Sequence, residues 1–240
     1  MIGATVIRTA DGDAVAAHAA RLIGELLEAT LTSRGRVHVA LAGGTTPAGA
    51  YTQLRRSDWT GVELWFGDER CVQPDDPEAN YRMVAETLLE HADGALVHRI
   101  EGELGAELAA AAYDALLRER VSGEDGRLPV LDVLLLGIGE DGHTASLFPH
   151  NPALAVRGVA CVAVHDAPKP PPDRVSLSLE VLRCARSTIL LASGPGKADA
   201  LARALAQPDP AVPASLLERD RLTVIADSAA LARHATGPRR

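Results

Sequence analysis

The sequence predicts a single α/β domain with a doubly wound, mainly parallel sheet and helices on both faces. Short segments rich in leucine or β-branched residues alternate with longer segments of helical periodicity almost throughout the 240 residues. The most apolar segment, residues 133–136, is continuous rather than alternating, which is typical of a parallel strand covered on both faces. A chain of this length is long enough for one large domain, and we expect residues 1–240 to form it.

Seven segments have the length and composition of strands. They are residues 5–8, 36–41, 62–66, 132–136, 158–164, 188–191 and 222–226. Helices are predicted over residues 13–31 and 104–121, where apolar positions recur with helical spacing. Residues 122–127 are predicted to form a surface loop. We also favour a surface connection for the proline-rich residues 168–172, with a stiff loop beside a ligand cleft as the alternative.

Composition and charge restrict the possible partners. The net charge of -8 and the pI near 5.5 argue against nucleic acid, because phosphate-backbone binding needs a basic surface. Neither a signal peptide nor a membrane-spanning run is evident, so we expect a cytoplasmic protein without a membrane partner. Three widely spaced cysteines fit a reducing compartment and give no zinc signature. No metal or cofactor is predicted, and a monomer or a small homo-oligomer is expected.

The first candidate site segment follows the predicted strand 36–41. Gly43 and Gly44 allow close approach of a ligand to the backbone, and Thr46 and Pro47 are suited to the cap and first position of a helix. The free N–H groups of such a helix start favour phosphate, to which the hydroxyl of Thr45 would also donate. An ordinary strand-to-helix turn explains the same residues, and the segment alone leaves both possibilities open.

The second segment follows the predicted strand 62–66 and carries three adjacent charges, Asp68, Glu69 and Arg70. The planar fork of Arg70 suits phosphate, and Asp68 suits a sugar hydroxyl or the orientation of a base. The alternative is an internal ion pair between Asp68 and Arg70 that ends the strand, and the triplet alone favours it. Asn80 and Tyr81 further along are predicted to anchor the intervening loop.

The third segment follows the predicted strand 132–136. Its glycines at positions 137, 139 and 142 fit the dinucleotide-binding pattern, and Asp166 lies at a plausible distance for a ribose ligand. A nicotinamide-dependent dehydrogenase is therefore an alternative. A dinucleotide fold needs a long helix opening at the third glycine, and Pro149 and Pro152 leave room only for a short one.

His143, in the same segment, is the candidate general base. It lies just past a central strand among glycines, and Glu140 or Asp141 would hold it exposed and oriented. A structural histidine bonded to the backbone is the competing interpretation.

Taken together, the three segments resemble the 6-phosphogluconolactonase family and the related glucosamine-6-phosphate deaminases. The resemblance covers most of the chain and depends on Leu41-Ala-Gly-Gly-Thr-Thr-Pro47, on Trp65-Phe-Gly-Asp-Glu-Arg70 with Asn80-Tyr81, and on the residues from Gly137 to Pro149. The sequence His143-Thr-Ala-Ser-Leu-Phe-Pro149 is typical of the lactonases. The deaminases instead carry an acidic residue in the region of Leu147.

The resemblance implies a fold shared with ribose-phosphate isomerases and CoA transferases, and hydrolysis of 6-phospho-D-glucono-1,5-lactone without metal or cofactor. A deaminase or isomerase acting on a sugar phosphate is the alternative. The resemblance adds Arg174 and Lys197 as phosphate ligands. The implied site contains His143 and Asp68 as catalytic residues and, as substrate and phosphate ligands, Gly43, Gly44, Thr45, Thr46, Arg70, Arg174 and Lys197. Backbone N–H groups near Gly43 or Gly139 are candidates to stabilise the oxyanion.

Overall fold

A seven-stranded parallel sheet forms the centre of the computed structural model, which describes residues 3–54, 58–123 and 128–234. Within these residues the strands are β1 (Thr5–Thr9), β2 (Val37–Leu41), β3 (Val62–Phe66), β4 (Asp68–Arg70), β5 (Leu96–Val97), β6 (Val133–Gly137), β7 (Cys161–Val164), β8 (Arg174–Leu177), β9 (Ser187–Ala192) and β10 (Leu222–Asp227). The large sheet has the order β1-β10-β9-β6-β2-β3-β5, and all its pairs are parallel. The predicted fold class is confirmed.

Six α-helices connect the strands in the described part of the chain. They are α1 (Gly12–Arg34), α2 (Thr45–Gln53), α3 (Asn80–Thr87), α4 (Ala106–Arg120), α5 (Leu179–Cys184) and α6 (Ala198–Ala204). The side chain of Asp11 caps α1 by accepting from Ala14 N at 2.9 Å, and Gly35 ends the helix in the left-handed conformation with φ 70°. None of the described helices is long and apolar enough to cross a bilayer.

The order of the strands places helices on both faces of the sheet. The connections β1-α1-β2 and β2-α2-β3 run in one direction across the sheet, and α1 and α2 pack against each other. The connections through α5 and α6, which lead from β6 to β9 and β10, run in the opposite direction. Because crossovers between parallel strands are right-handed, opposite directions put the two groups of helices on opposite faces.

The core is built mainly from aliphatic side chains, as expected for a chain with only 3% aromatic residues. All four residues from Val133 to Leu136 in β6 are at most 1% exposed, which confirms that the continuous apolar run is a strand covered on both faces. Most of the few large rings, among them Trp65 and Phe66 at the end of β3, are fully buried.

A second, three-stranded antiparallel sheet with the order β4-β8-β7 differs from the sequence prediction. The predicted strand 158–164 exists only as Cys161–Val164, and it belongs to this small sheet. The short strands β4, β5 and β8 were not predicted, because two or three residues, or a segment after a proline run, carry no recognisable periodicity. Residues 124–127 of the predicted loop 122–127 lie outside the described residues, and the assignment of residues 1–240 to one domain stays a prediction.

Candidate active site

A cavity of about 390 Å³ opens at the carboxyl ends of β2, β6 and β9 and is bounded on one side by the small sheet. The chain order reverses between β2 and β6, and open parallel sheets bind ligands at such a switch point. Every site residue predicted from the sequence lines this cavity: Gly43, Gly44, Thr45, Thr46, Asp68, Arg70, His143, Arg174 and Lys197. These residues are carried by the loops and turns that follow β2, β6 and β9 and by the strands β4 and β8 of the small sheet.

His143 is held by the carboxylate of Asp141. The His143 Nδ1 atom lies 2.6 Å from Asp141 Oδ1, and the same oxygen accepts the His143 backbone N–H at 3.1 Å. Burial opposes ionisation of Asp141, but its hydrogen bonds and the charge of His143 prevail and lower the Asp141 pKa to about 2. With Nδ1 bonded to the carboxylate, His143 lines the cavity with Nε2 as its remaining nitrogen. Asp141, and not Glu140, is therefore the orienting residue.

The loop that carries His143 is a compact turn closed by local hydrogen bonds. Gly139 N donates to His143 O at 2.9 Å, and Thr144 Oγ1 donates to Gly137 O at 2.9 Å. Phe148 packs beneath the imidazole with a ring-centroid distance of 4.5 Å. Because the Gly139 N–H is already bonded, it is not free to stabilise an oxyanion.

The glycine pattern in this loop does not open a dinucleotide-binding helix. Residues 143–151 are fully described and contain no helix, and the next helical turn is the short 3₁₀ segment Pro152–Ala155. In a dehydrogenase the pyrophosphate would bind at the N-terminus of a helix that begins here, and residues 143–151 do not form one.

Asp68 is buried and fixed by two neighbours. Its Oδ2 atom accepts the hydroxyl of Ser146 at 2.6 Å, while Asn80 Nδ2 donates to the Asp68 carbonyl at 2.8 Å. No ion pair joins Asp68 to Arg70 among the described residues. The guanidinium of Arg70 instead donates from Nη1 to the carbonyl of Glu78, so the predicted alternative of an internal pair is wrong.

Glu69 has a structural function at the start of α3. Its carboxylate accepts the backbone N–H groups of Arg70, Asn80 and Tyr81, each at 2.7 Å. Burial raises the pKa of Glu69 to about 7, although these three hydrogen bonds act in the opposite direction. The side chain thus anchors the loop between β4 and α3.

Two arginines face each other across the small sheet. Arg70 in β4 and Arg174 in β8 are register partners, and both line the cavity. Like charges directly opposite each other destabilise a strand pair, and a bound anion would remove that cost. The Nε atom of Arg70 is buried and has no acceptor among the described residues. Burial and the charge of Arg70 lower the pKa of Arg174.

The glycine-threonine turn differs in detail from its prediction. Helix α2 begins at Thr45 with Gly44 as its cap at φ 102°, so Thr46 and Pro47 are not the cap and the first position. The backbone N–H groups of Thr45 and Thr46 have no acceptor within the described chain and belong to the cavity wall. Gly43 is required by packing, because a Cβ atom there would lie 1.9 Å from Asn80 Oδ1.

Lys197 ends a 3₁₀ turn, Pro195–Lys197, that follows β9. The buried Asp227 fixes the start of this turn by accepting the Ser193 hydroxyl at 2.6 Å and the Gly194 N–H at 2.8 Å. The lysine side chain has no acidic partner among the described residues and lines the cavity.

The sequence prediction missed several residues of the cavity wall. Residues 168–172 do not form a mere surface connection, because Lys169 and Pro170 line the cavity; the alternative of a loop beside the ligand cleft is the correct one. Asn80 lines the cavity as well as anchoring a loop. A lysine isolated within a proline run was the available signal for Lys169, whereas nothing local indicated that Asn80 would face a ligand.

The fold and the cavity define an α/β protein with a cation-lined cavity beside a carboxylate-oriented histidine. The chain belongs to the glucosamine-6-phosphate isomerase/6-phosphogluconolactonase family, whose model matches residues 10–226. It is 40% identical over 213 residues to a 6-phosphogluconolactonase of Mycobacterium tuberculosis, covering 84% of this chain and 85% of that one. Identity to the human 6-phosphogluconolactonase is 39% over 202 residues, covering 78% and 75% of the two chains.

Solved structures give the same result. The 6-phosphogluconolactonase of Trypanosoma brucei superposes with a TM-score of 0.88 at 30% identity, covering 98% of this chain and 100% of that one. A monomeric glucosamine-6-phosphate deaminase superposes with a TM-score of 0.79 at 21% identity over 95% and 99% of the two chains, which shows a shared fold only.

Proposed function

We propose that this protein hydrolyses 6-phospho-D-glucono-1,5-lactone to 6-phospho-D-gluconate, the lactone-opening step of the oxidative pentose phosphate pathway. The observation that carries the proposal is the Asp141-oriented His143 in a cavity that also holds Arg70, Arg174 and Lys197. A base beside a set of cations suits a substrate that has a hydrolysable carbonyl at one end and a dianion at the other. The relatives named above support the same reaction.

In the proposed mechanism, His143 Nε2 takes a proton from a water molecule as its oxygen attacks the lactone carbonyl. Asp141 stabilises the positive charge that develops on the imidazole, since its carboxylate accepts from Nδ1 at 2.6 Å. The tetrahedral intermediate then expels the ring oxygen, which receives the proton from His143 and becomes a hydroxyl group. General base catalysis of this kind contributes about 10²- to 10⁴-fold.

The phosphate end of the substrate supplies positioning. We assign its binding to Arg70, Arg174 and Lys197 together with the turn at Thr45 and Thr46, whose two N–H groups at a helix start have no acceptor in the described part of the chain. Anchoring a remote dianion fixes the carbonyl near the base, so that binding energy lowers the barrier to attack. We assign Asp68 a contact with the sugar or with the attacking water.

The test is hydrolysis of the phosphorylated lactone, measured within a short window because the substrate also opens spontaneously. The substitution His143→Asn should lower kcat by at least 100-fold with little change in KM, consistent with the loss of a general base. Arg70→Ala and Lys197→Ala should chiefly raise KM. Near-normal kcat in His143→Asn would remove that residue from the mechanism, and ammonia release from glucosamine-6-phosphate would favour a deaminase instead.

We further propose a cytoplasmic location and a monomer or small homo-oligomer. The three cysteines, Cys71, Cys161 and Cys184, are all free thiols, which fits a reducing compartment. Cell fractionation and light scattering test the two statements.

A further inference from the structure

The loop between β7 and β8 presents one charged side chain to the cavity. Lys169 lies in the sequence Pro168-Lys-Pro-Pro-Pro172, its side chain is exposed, and it lines the cavity with the neighbouring Pro170. No carboxylate pairs with its ammonium group among the described residues. The proposed mechanism of lactone hydrolysis does not use this lysine.

Buried Arg174 holds the backbone of this loop. Its Nε atom donates to the carbonyl of Pro171 at 3.1 Å, and its Nη2 atom donates to the carbonyl of Lys169 at 2.9 Å. A further bond closes the base of the loop, from Ala167 N to Pro172 O at 2.9 Å. Because four prolines also restrict the backbone, Lys169 extends from a stiff support and only its side chain is free to move.

The contacts of Arg174 also limit what it does for a ligand. Its guanidinium lies 5.4 Å from the centre of the Phe148 ring, and two of its nitrogens are engaged by loop carbonyls. Most of the N–H donors of Arg174 are therefore used to hold the loop that forms this wall of the cavity. Among the described residues, the cation without a hydrogen-bonded partner on this side of the cavity is Lys169.

The amino-acid composition gives an independent indication. The chain contains 22 arginines and only two lysines, Lys169 and Lys197. Both lysines line the same cavity, although they are 28 positions apart in sequence and follow different strands. Arginine thus occupies every basic position elsewhere in this chain. The ammonium group differs from guanidinium as a compact charge with three rotatable donors, which suits a phosphate approached from several directions.

We propose that Lys169 is a specificity-determining residue that contacts the anionic group of the substrate, so that Lys169 joins Lys197 and the two arginines in binding the dianion. The assignment rests on the proposed function. Two ammonium groups match the double negative charge of a phosphate monoester, whereas a lactone without phosphate gives Lys169 nothing to bind. Lys169 therefore sets the preference for phosphorylated over neutral lactone and leaves the chemical step to His143.

The experiment compares Lys169→Met with the wild-type protein on 6-phosphogluconolactone and on unphosphorylated gluconolactone. We expect KM for the phosphorylated substrate to rise about 10- to 50-fold, with kcat within threefold and kcat/KM for the neutral lactone unchanged. Arg21→Met on the exposed face of α1 makes the same change in net charge away from the cavity and should have no such effect. An unchanged KM in Lys169→Met, or a loss of kcat with both substrates, would overturn the assignment.

Two further measurements separate related explanations. If the rise in KM disappears in 0.5 M salt, Lys169 acts only by long-range attraction and the proposed contact is wrong. Calorimetric titration with 6-phosphogluconate measures binding without turnover: weaker binding by Lys169→Met supports the contact even if the wild-type protein lacks lactonase activity. A wild-type protein that binds 6-phosphogluconate but does not hydrolyse the lactone would therefore refute the proposed function and leave the role of Lys169 standing.

Discussion

Adding one methyl group at Gly139 should disable the catalytic pair without unfolding the protein. A Cβ atom at this position would lie 2.1 Å from His143 Nδ1 and 2.4 Å from Asp141 Oδ1. Ordinary van der Waals contact is about 3.5 Å, so in Gly139→Ala both side chains must move by roughly 1 Å. The atoms that collide are the ends of two side chains, and the backbone of Gly139 is not in a left-handed conformation, so the displacement falls on the pair.

A misplacement of about 1 Å in a catalytic group costs on the order of 100-fold in rate, which corresponds to about 2.7 kcal/mol in the activation free energy. We therefore expect Gly139→Ala to lower kcat for lactone hydrolysis about 100-fold while its thermal midpoint stays near that of the wild type. The assay is initial-rate kinetics combined with a thermal melt of the same preparation.

Gly137→Ala is the matched control, two residues away at the end of β6. A Cβ atom at Gly137 meets no atom within 4 Å, although the residue lines the cavity. Its methyl group should leave the pair in place and affect KM at most. The reasoning is refuted if Gly139→Ala keeps kcat within threefold of the wild type, or if Gly137→Ala loses kcat to the same extent.

Two other side chains give measurable effects on stability. Ser146→Ala leaves the buried carboxylate of Asp68 without its 2.6 Å donor, so the free energy of unfolding should fall by about 1–3 kcal/mol in urea denaturation, and an unchanged midpoint would contradict this. His165 is hydrogen-bonded to Asp173 and Glu107, which raise its pKa. Protonated His165 therefore stabilises the folded state fully below pH 6.5, and this stabilisation is lost as the pH rises through the higher pKa that His165 has in the folded protein. His165→Asn should remove this part of the pH dependence of the melting temperature, and identical slopes in the two proteins would refute the assignment.

The large sheet could be predicted because each of its long strands is a local pattern. The apolar run in β6 and the helical periodicity of α1 each identify their element without reference to the rest of the chain. The small sheet could not be predicted in this way. Strand β4 is Asp-Glu-Arg, and it is extended because β8 pairs with it more than one hundred positions later. Tertiary pairing, rather than intrinsic preference, decides such segments.

The candidate site likewise contained residues that could be predicted from local sequence and residues that depend on tertiary contacts. Residues that follow long strands, such as Thr45 and His143, were placed by the rule that ligands bind at strand ends, whereas Arg174 and Lys197 came from the family resemblance. The orienting residue was ambiguous, because Glu140 and Asp141 are adjacent and only the turn geometry selects the second. The position of Lys169 at the cavity was not predicted, because a proline run indicates a stiff loop but not which surface of the protein the loop faces. Its orientation depends on hydrogen bonds from Arg174, whose side chain lies beneath the loop.

The pairing of Arg70 with Arg174 makes the binding site and the small sheet mutually dependent. The two guanidinium groups become neighbours only when β4 and β8 pair, and the pair then gathers positive charge in a partly buried place. In the free protein the two positive charges repel each other, and the phosphate proposed to bind between them would remove that cost. Any anion that occupies the site stabilises the pairing that created it, in proportion to its concentration over its dissociation constant. If the proposed binding is correct, the small sheet is the part of this fold whose stability rises with the concentration of substrate.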